Sequence, residues 1–390
     1  MAVAEKIKRK LKLRPLPRPV YIAICTFPAV LTILFYVLRT NTRVMDWASL
    51  RVAAPIRGFL GLITSIFPFS VMEILIAAAV IGGIWFIVRT IKLTIRKHGA
   101  RLKTLSRRVL HLAVVVLYIW GLFCWLWNTG YFAQGFAERN GIISREAAVE
   151  ELIAVTEMFV ARANELSQEV DRNEDGRLYA NRREVFAQSL DVFHGISNEF
   201  PELGGRIFRP KPMIFSWLMS RTGYAGIYFA LTGEANVNTQ LPMSTMPATI
   251  AHEHAHQLGV FSEDEANFVA IMASAQSGIL IYEYSGYFFG LIHLMRALNN
   301  IHSELWVEMW DTFSPELQRD WRDNREFWQL QRTVDTGIGL VDTVLTAVTE
   351  TLRDAVDTTY DRFLRANDQE LGLQSYGAVV DLLIAYFLPV

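Results

Sequence analysis

The sequence predicts a mainly α protein in which three N-terminal transmembrane helices precede a predominantly helical α+β domain with a small sheet. Three observations predict it. Three apolar runs of membrane-spanning length, with Glu73 the only charged residue among them, lie in the first third of the 390 residues. Helix-period patterns dominate the remainder, and a partly alternating stretch at residues 226–240 supplies the strand signal. The length suits a membrane module plus one globular unit, because single domains usually run to about 100–200 residues. An apolar share of 52% and a mean hydropathy of +0.22 exceed what an ordinary soluble domain carries.

Residues 1–19 form a basic tail, with Lys6, Lys8, Arg9, Lys10, Lys12, Arg14 and Arg18. The first span, 20–38, carries no charge and has the length needed to cross ~30 Å of hydrocarbon. It is longer than a signal-peptide core and no small-x-small cleavage site follows it, so it is expected to stay as an anchor. The second span is expected at about 68–88 and the third at about 109–127, completing a transmembrane module over 20–128. Between them lie Arg89, Lys92, Arg96, Lys97, Arg101, Lys103, Arg107 and Arg108 with no acidic residue, which marks that loop, and the basic tail, as cytoplasmic. Three spans that start inside end outside. Residues 129–390 are therefore expected as an extracytoplasmic domain of a multi-pass protein of the cell membrane, with the loop at 41–57 on the same side.

Both basic runs flank spans, and the net charge is -1, so no nucleic-acid partner is expected. The two cysteines, Cys25 and Cys124, fall in apolar runs; this argues against a disulfide framework and excludes cysteine ligation of zinc.

In the domain, apolar positions recur at three and four over residues 145–166, predicting a helix. After the strand candidate comes a helix start: Ser244 or Thr245 can cap, Pro247 suits the first turn, and Gly259 can end the helix. That helix carries His252-Glu253-His254-Ala255-His256, an H-E-x-x-H match. Four-residue spacing stacks His252 and His256 one turn apart, where two imidazoles can share a zinc ion (Zn2+). Glu253 projects close to the same face and can take a proton from a polarised water, whereas His254 points elsewhere. A catalytic zinc usually has three protein ligands. Glu263, Asp264 and Glu265 follow at the start of a helix expected over about 264–298, with Glu263 the first choice of third ligand and Glu265 the reserve. Asn267, one turn after Glu263, is placed to orient a ligating histidine. A bland origin exists for these acids, since negative charge is favourable at a helix N-terminus.

These residues resemble the zincin metallopeptidases of the Glu-ligand (gluzincin) type, although His256 and Glu263 are unusually close. More closely, the segments at 233–238, 247–259 and 263–268, with the tail from Tyr360 onward, resemble an uncharacterised family of bacterial membrane proteins with N-terminal spans, labelled only as a domain of unknown function. The resemblance implies a zincin-like domain without implying a substrate. The likeness to zincins implies that residues 226–238 offer an edge that binds substrate as an added strand, with an interior strand or irregular loop as the bland alternative. Tyr284, His293 and Tyr376 are candidates for stabilising an oxyanion, each also explicable as a packed helix residue. Tyr376 is favoured because its surroundings match the family pattern.

The functional expectation is a membrane-anchored zinc metallopeptidase acting on extracytoplasmic peptides or proteins, with the lipid bilayer as its other partner. The alternative is a zincin-like sensor or assembly factor that binds metal or peptides without cleaving. Asp171 to Gly176 begins like a calcium loop, but Arg182 stands where the bidentate Glu belongs, so a solvated turn is expected. Residues 268–298 are apolar enough to suggest a fourth span; Gln276, Glu283, His293 and Arg296 interrupt them, so a buried helix is expected.

Overall fold

The computed structural model describes residues 17–96, 100–143, 148–332, 339–366 and 376–389. In chain order the first helices are α1 (Arg18–Leu38), α2 (Thr42–Trp47), α3 (Ala54–Thr64), α4 (Val71–Arg96) and α5 (Arg101–Leu126). Of these, α1, α4 and α5 are long and apolar enough to cross a membrane. The helices α4 and α5 run past the apolar segments at 68–88 and 109–127 into basic residues, because no glycine or proline stops them there. Along α1 and α5 the packing is close: Tyr118 Oη donates to the Ile24 carbonyl and Trp125 Nε1 to the Leu31 carbonyl, both at 2.9 Å. The 41–57 segment, expected as a loop, is largely helical; it starts at Asn41, whose side chain accepts the Val44 N–H at 3.2 Å.

The globular part adds α6 (Phe136–Arg139), α7 (Val149–Glu169), α8 (Arg182–Gln188), β1 (Lys211–Pro212), α9 (Ser216–Thr222), β2 (Gly226–Phe229) and β3 (Glu234–Val237). It continues with α10 (Met246–Leu258), α11 (Glu263–Ala275), α12 (Leu280–Ile301), α13 (Ser303–Asp311), α14 (Pro315–Leu330), α15 (Gly339–Ala366) and α16 (Tyr376–Phe387). The main core lies between α7, α10, α11, α12 and α16, around Phe159, Phe268, Tyr282, Phe288 and Leu383. Glycine lets α12 cross its neighbours closely: a Cβ on Gly286 would stand 2.7 Å from Ser274 Cβ, and one on Gly290 2.9 Å from a Phe159 ring carbon. This helix and α11 are part of the core and are separate elements. The single helix expected over about 264–298 breaks at Gln276, and Gly278 in the turn has φ +69°.

The strand signal at 226–240 resolves into two strands. Gly233, at φ +69°, lets the chain turn between them. The sheet order is β1-β3-β2, with β1 parallel and β2 antiparallel to β3, and Tyr228 opposite Ala235. Buried β3 is thus central, and β2 is an edge strand.

The membrane helices and the sheet are locked by reciprocal carboxylates. Glu234 of β3 accepts the first N–H groups of α4, from Val71 at 3.0 Å and Met72 at 2.9 Å. Glu73 of α4 accepts the N–H groups of Ile214 and Phe215 just before α9, at 2.9 and 2.8 Å. Each buried charged acceptor of this kind contributes on the order of 1.5–3 kcal/mol per hydrogen bond. Packing also runs without a gap across the expected boundary at 128/129, since Leu126, Trp127, Tyr131, Tyr228 and Phe261 form one cluster.

Candidate metal centre

Helix α10 presents the site. Pro247 sits in its first turn and Gly259, at φ +97°, closes it by donating its N–H back to carbonyls of the last turn. Thr245 is the N-cap position, but its hydroxyl does not cap the helix. An N–H of the first turn, on Ala248, is taken instead by Ser285 Oγ of α12 at 3.0 Å, a long-range cap that no local pattern announces.

His252 and His256 lie one turn apart with ring centroids 4.6 Å from each other. The short loop after Gly259 brings the first residue of α11, Glu263, against both. Its Oε2 is 3.2 Å from His252 Nε2 and its Oε1 3.6 Å from His256 Nε2. One ligand atom from each of the three residues falls within 4.8 Å of the others, so His252, His256 and Glu263 could hold a metal ion. The donor set fits one. His256 Nδ1 donates to the Val260 carbonyl at 2.7 Å, which fixes the tautomer and leaves Nε2 as the lone-pair donor. Two imidazole nitrogens and one carboxylate suit a divalent ion with an open position.

The electrostatics of the metal-free set point the same way. Burial works against a charge on His256, but the Glu263 carboxylate overrides it and raises the imidazole to about 9. Burial would raise Glu263 too; the imidazoles, His256 foremost, hold it well below the usual carboxylate range. The group thus holds a proton between an anion and two nitrogens, a position that a cation can take over.

Glu253 stands beside this group and outside it. It is 4% exposed, its Oε2 has no hydrogen-bond partner among the described residues, and burial raises it to about 7 against the opposing pull of His252 and His256. The edge strand presses on it: a Cβ on Gly226 would stand 2.8 Å from Glu253 Cγ.

An aromatic wall from the membrane end of the molecule closes one side. Trp127 meets the His256 ring edge-on, centroids 5.4 Å apart, and also packs on Tyr228 and Phe261. Behind it, Arg57 of α3 is buried, donating to the Leu126 carbonyl at 2.8 Å with its guanidinium carbon 5.0 Å from the Phe261 ring centre. On another side Tyr360 of α15 donates its hydroxyl proton to Glu263 Oε1. Tyr360 and Tyr131 are both raised by burial and by the Glu263 charge, so both hydroxyls stay protonated.

The structure therefore gathers His252, Glu253, His256 and Glu263. The reserve ligand is elsewhere: Glu265 Oε1 accepts the Ala137 N–H at 2.9 Å at the start of α6. Asn267 does not orient a ligating histidine, a role taken for His256 by the Val260 carbonyl. Tyr284 is engaged in the core, its hydroxyl 2.5 Å from Asp320 Oδ2 in a cluster with Arg172. His293 is buried with its ring against Phe289. The side chain of Tyr376 lies outside the described residues. Sequence reasoning missed Tyr360, Arg57, Trp127 and Tyr228 as site neighbours. Tyr360 opens the C-terminal stretch that resembles the family, but nothing in that pattern assigns it to the site, and Arg57 lies in a segment expected as a loop, so neither carries a signal that points to the histidines.

The chain belongs to the family described as "Protein of unknown function (DUF3810)", whose sequence profile matches residues 49–384. That span takes in the whole ligand group and begins after α1. No curated protein and no solved structure matches the chain.

Proposed function

We propose that this family member is a membrane-anchored zinc metallopeptidase that hydrolyses peptide bonds of extracytoplasmic peptides or proteins. The observation that carries the reading is the convergence of two imidazoles and Glu263 on one point, with a separate buried carboxylate, Glu253, beside it and not bound into it. A zinc ion there would supply Lewis-acid polarisation of the carbonyl and of the attacking water. Glu253, raised to about 7, is matched to its task at neutral pH: its free Oε2 accepts the proton of the water and returns it to the leaving amine. The edge of β2 aligns an extended substrate through main-chain hydrogen bonds next to Glu253. Tyr360 is a hydroxyl donor already against Glu263 and Tyr376 the donor expected from the family pattern; either can face a developing oxyanion.

One observation favours a second reading, a metal-binding sensor that does not cleave: the Tyr360 hydroxyl takes the Glu263 oxygen that faces His256. Two variants separate the readings. Purified protein should carry zinc, His252→Ala should lose it, and Glu253→Gln should keep it while losing cleavage of an unbiased peptide library. Equal zinc in parent and His252→Ala removes the site. Zinc-loaded parent protein no more active than Glu253→Gln removes the peptidase. The extracytoplasmic placement rests on the basic loop between α4 and α5, and reporter fusions after Asn128 and Arg101 test it.

A further inference from the structure

Large apolar side chains are exposed outside the three spans as well, and two sets of them adjoin the ends of α4 and α5. One set is on α3 and the turn after it: Ile56, Phe59, Leu62, Ile63 and Ile66 all face outward, whereas Arg57, Gly61 and Thr64 face the protein. From residue 52 to residue 72 the only charged residue is Arg57, and it is buried. The other set surrounds α9, where Ile214 is 69% exposed and Trp217 52%, with Phe215 and Leu218 beside them. The opposite face of α9 is used up, since Met213 and Met219 pack on Met72 in the first turn of α4.

The height of both sets relative to the bilayer is fixed by what holds them. Ile214 and Phe215 donate their N–H groups to Glu73, in the first turn of a helix that is itself long and apolar enough to span. Helix α3 leads into that same turn and touches the end of α5 through the Arg57 to Leu126 hydrogen bond. Each apolar set is therefore continuous with the end of a membrane helix. Short amphipathic helices with Trp and Phe on the outward face bind at the headgroup and acyl boundary, and grouped exposed apolar residues of this kind mark an interaction or membrane surface.

From α9 the chain turns at Gly223, φ +85°, and enters β2 at Gly226, against Glu253. Ile227, on that edge strand, is 40% exposed.

We propose that α3 and α9 form an apolar collar seated in one leaflet of the bilayer, holding the open edge of β2 and the metal group at the membrane surface. Resting on the peptidase reading above, the substrate class is a polypeptide segment that lies at the bilayer surface, such as the stretch flanking another protein's membrane anchor. The collar orients the edge strand toward segments that are already confined to two dimensions.

The test is a depth measurement that involves neither metal nor cleavage, so its failure is distinct from failure of the peptidase reading. In a Cys25→Ala, Cys124→Ala background, Ile214→Cys, Trp217→Cys and Ile227→Cys are spin-labelled in liposomes, with Phe215→Cys as a further collar position should one variant not fold. Glu174→Cys, on the exposed turn after α7, is the aqueous reference. Collision rates with oxygen, which prefers lipid, and a nickel chelate, which prefers water, are compared. The collar labels should show an oxygen-to-nickel ratio several-fold above that at Glu174, and Ile227 a ratio between the two. Water-like ratios at the collar overturn the proposal. So does a collar in lipid with Ile227 as nickel-accessible as Glu174, or collar labels shielded from both reagents, which would mean that a second copy of the chain covers this face.

Discussion

The Tyr360 hydroxyl donates to Oε1 of Glu263, tying a long C-terminal helix to the acid that completes the ligand group. The contact spans 97 residues of sequence and joins α15 to the first residue of α11, just past the loop that follows the H-E-x-x-H helix. A neutral donor on a ligating carboxylate orients it and sets how firmly it holds a cation.

Tyr360→Phe should weaken zinc binding by roughly 10-fold or more, as loss of an outer-shell partner does. Competition against a chromogenic chelator reads this directly. Unchanged affinity would mean that the contact is released once metal binds.

Gly226→Ala should leave the metal and remove the activity. The new methyl would meet Glu253 Cγ at 2.8 Å and push the carboxylate from its place, while His252, His256 and Glu263 are untouched. A displacement of about 1 Å costs on the order of 100-fold in rate. Zinc content and peptide cleavage measured on the same preparation check both halves; full activity would detach β2 from the catalytic arrangement.

Metal binding should release protons. In the metal-free protein His256 stays protonated up to about 9, so near neutral pH its proton must leave before Nε2 can ligate. Affinity should therefore rise with pH until about 9 is passed and then level off. Titration calorimetry in buffers of differing ionisation enthalpy should count about one proton released per ion near neutral pH. A count of zero would place the metal-free proton elsewhere.

His254→Leu should stabilise the fold, most of all in acid. His254 is buried, neither ring nitrogen makes a well-formed hydrogen bond among the described residues, and burial, only partly opposed by the nearby Gln257 side chain, lowers the imidazole to about 3. Below the ordinary histidine value of about 6.5 the unfolded chain binds a proton that the folded chain refuses until about 3. Stability is therefore lost as pH falls through that window, by up to about 1.4 kcal/mol per unit. Leucine removes both this loss and an unsatisfied polar group costing about 1–3 kcal/mol. Denaturation in detergent, parent against variant, near neutral and in mild acid, should show a gap that widens in acid. A constant gap would mean that His254 titrates alike in both states.

Where the deciding forces are local, the residues announced the outcome. Hydrocarbon length and charge marked α1, α4 and α5, because a span must be uniformly apolar over a fixed rise. The metal group was legible for a similar reason: one helical turn places His252 over His256, and a tight Gly259 turn leaves Glu263 little freedom to be elsewhere. Element boundaries were less legible. Residues 226–240 read as one strand and 264–298 as one helix, because a single positive-φ glycine in each, Gly233 and Gly278, carries the reversal that an apolar pattern conceals.

By itself, then, the sequence determined the membrane helices, the H-E-x-x-H face and the short list of acids that could join it, since each depends on neighbours within a turn or a loop. Only the tertiary structure decided between those acids, sending Glu265 to the start of α6 and Glu263 to the histidines. It also supplied Tyr360, Trp127 and Arg57, which reach the site from distant segments. The physical reason is range: backbone periodicity fixes what lies one turn away, whereas burial and charge pairing between distant segments depend on how every helix packs at once.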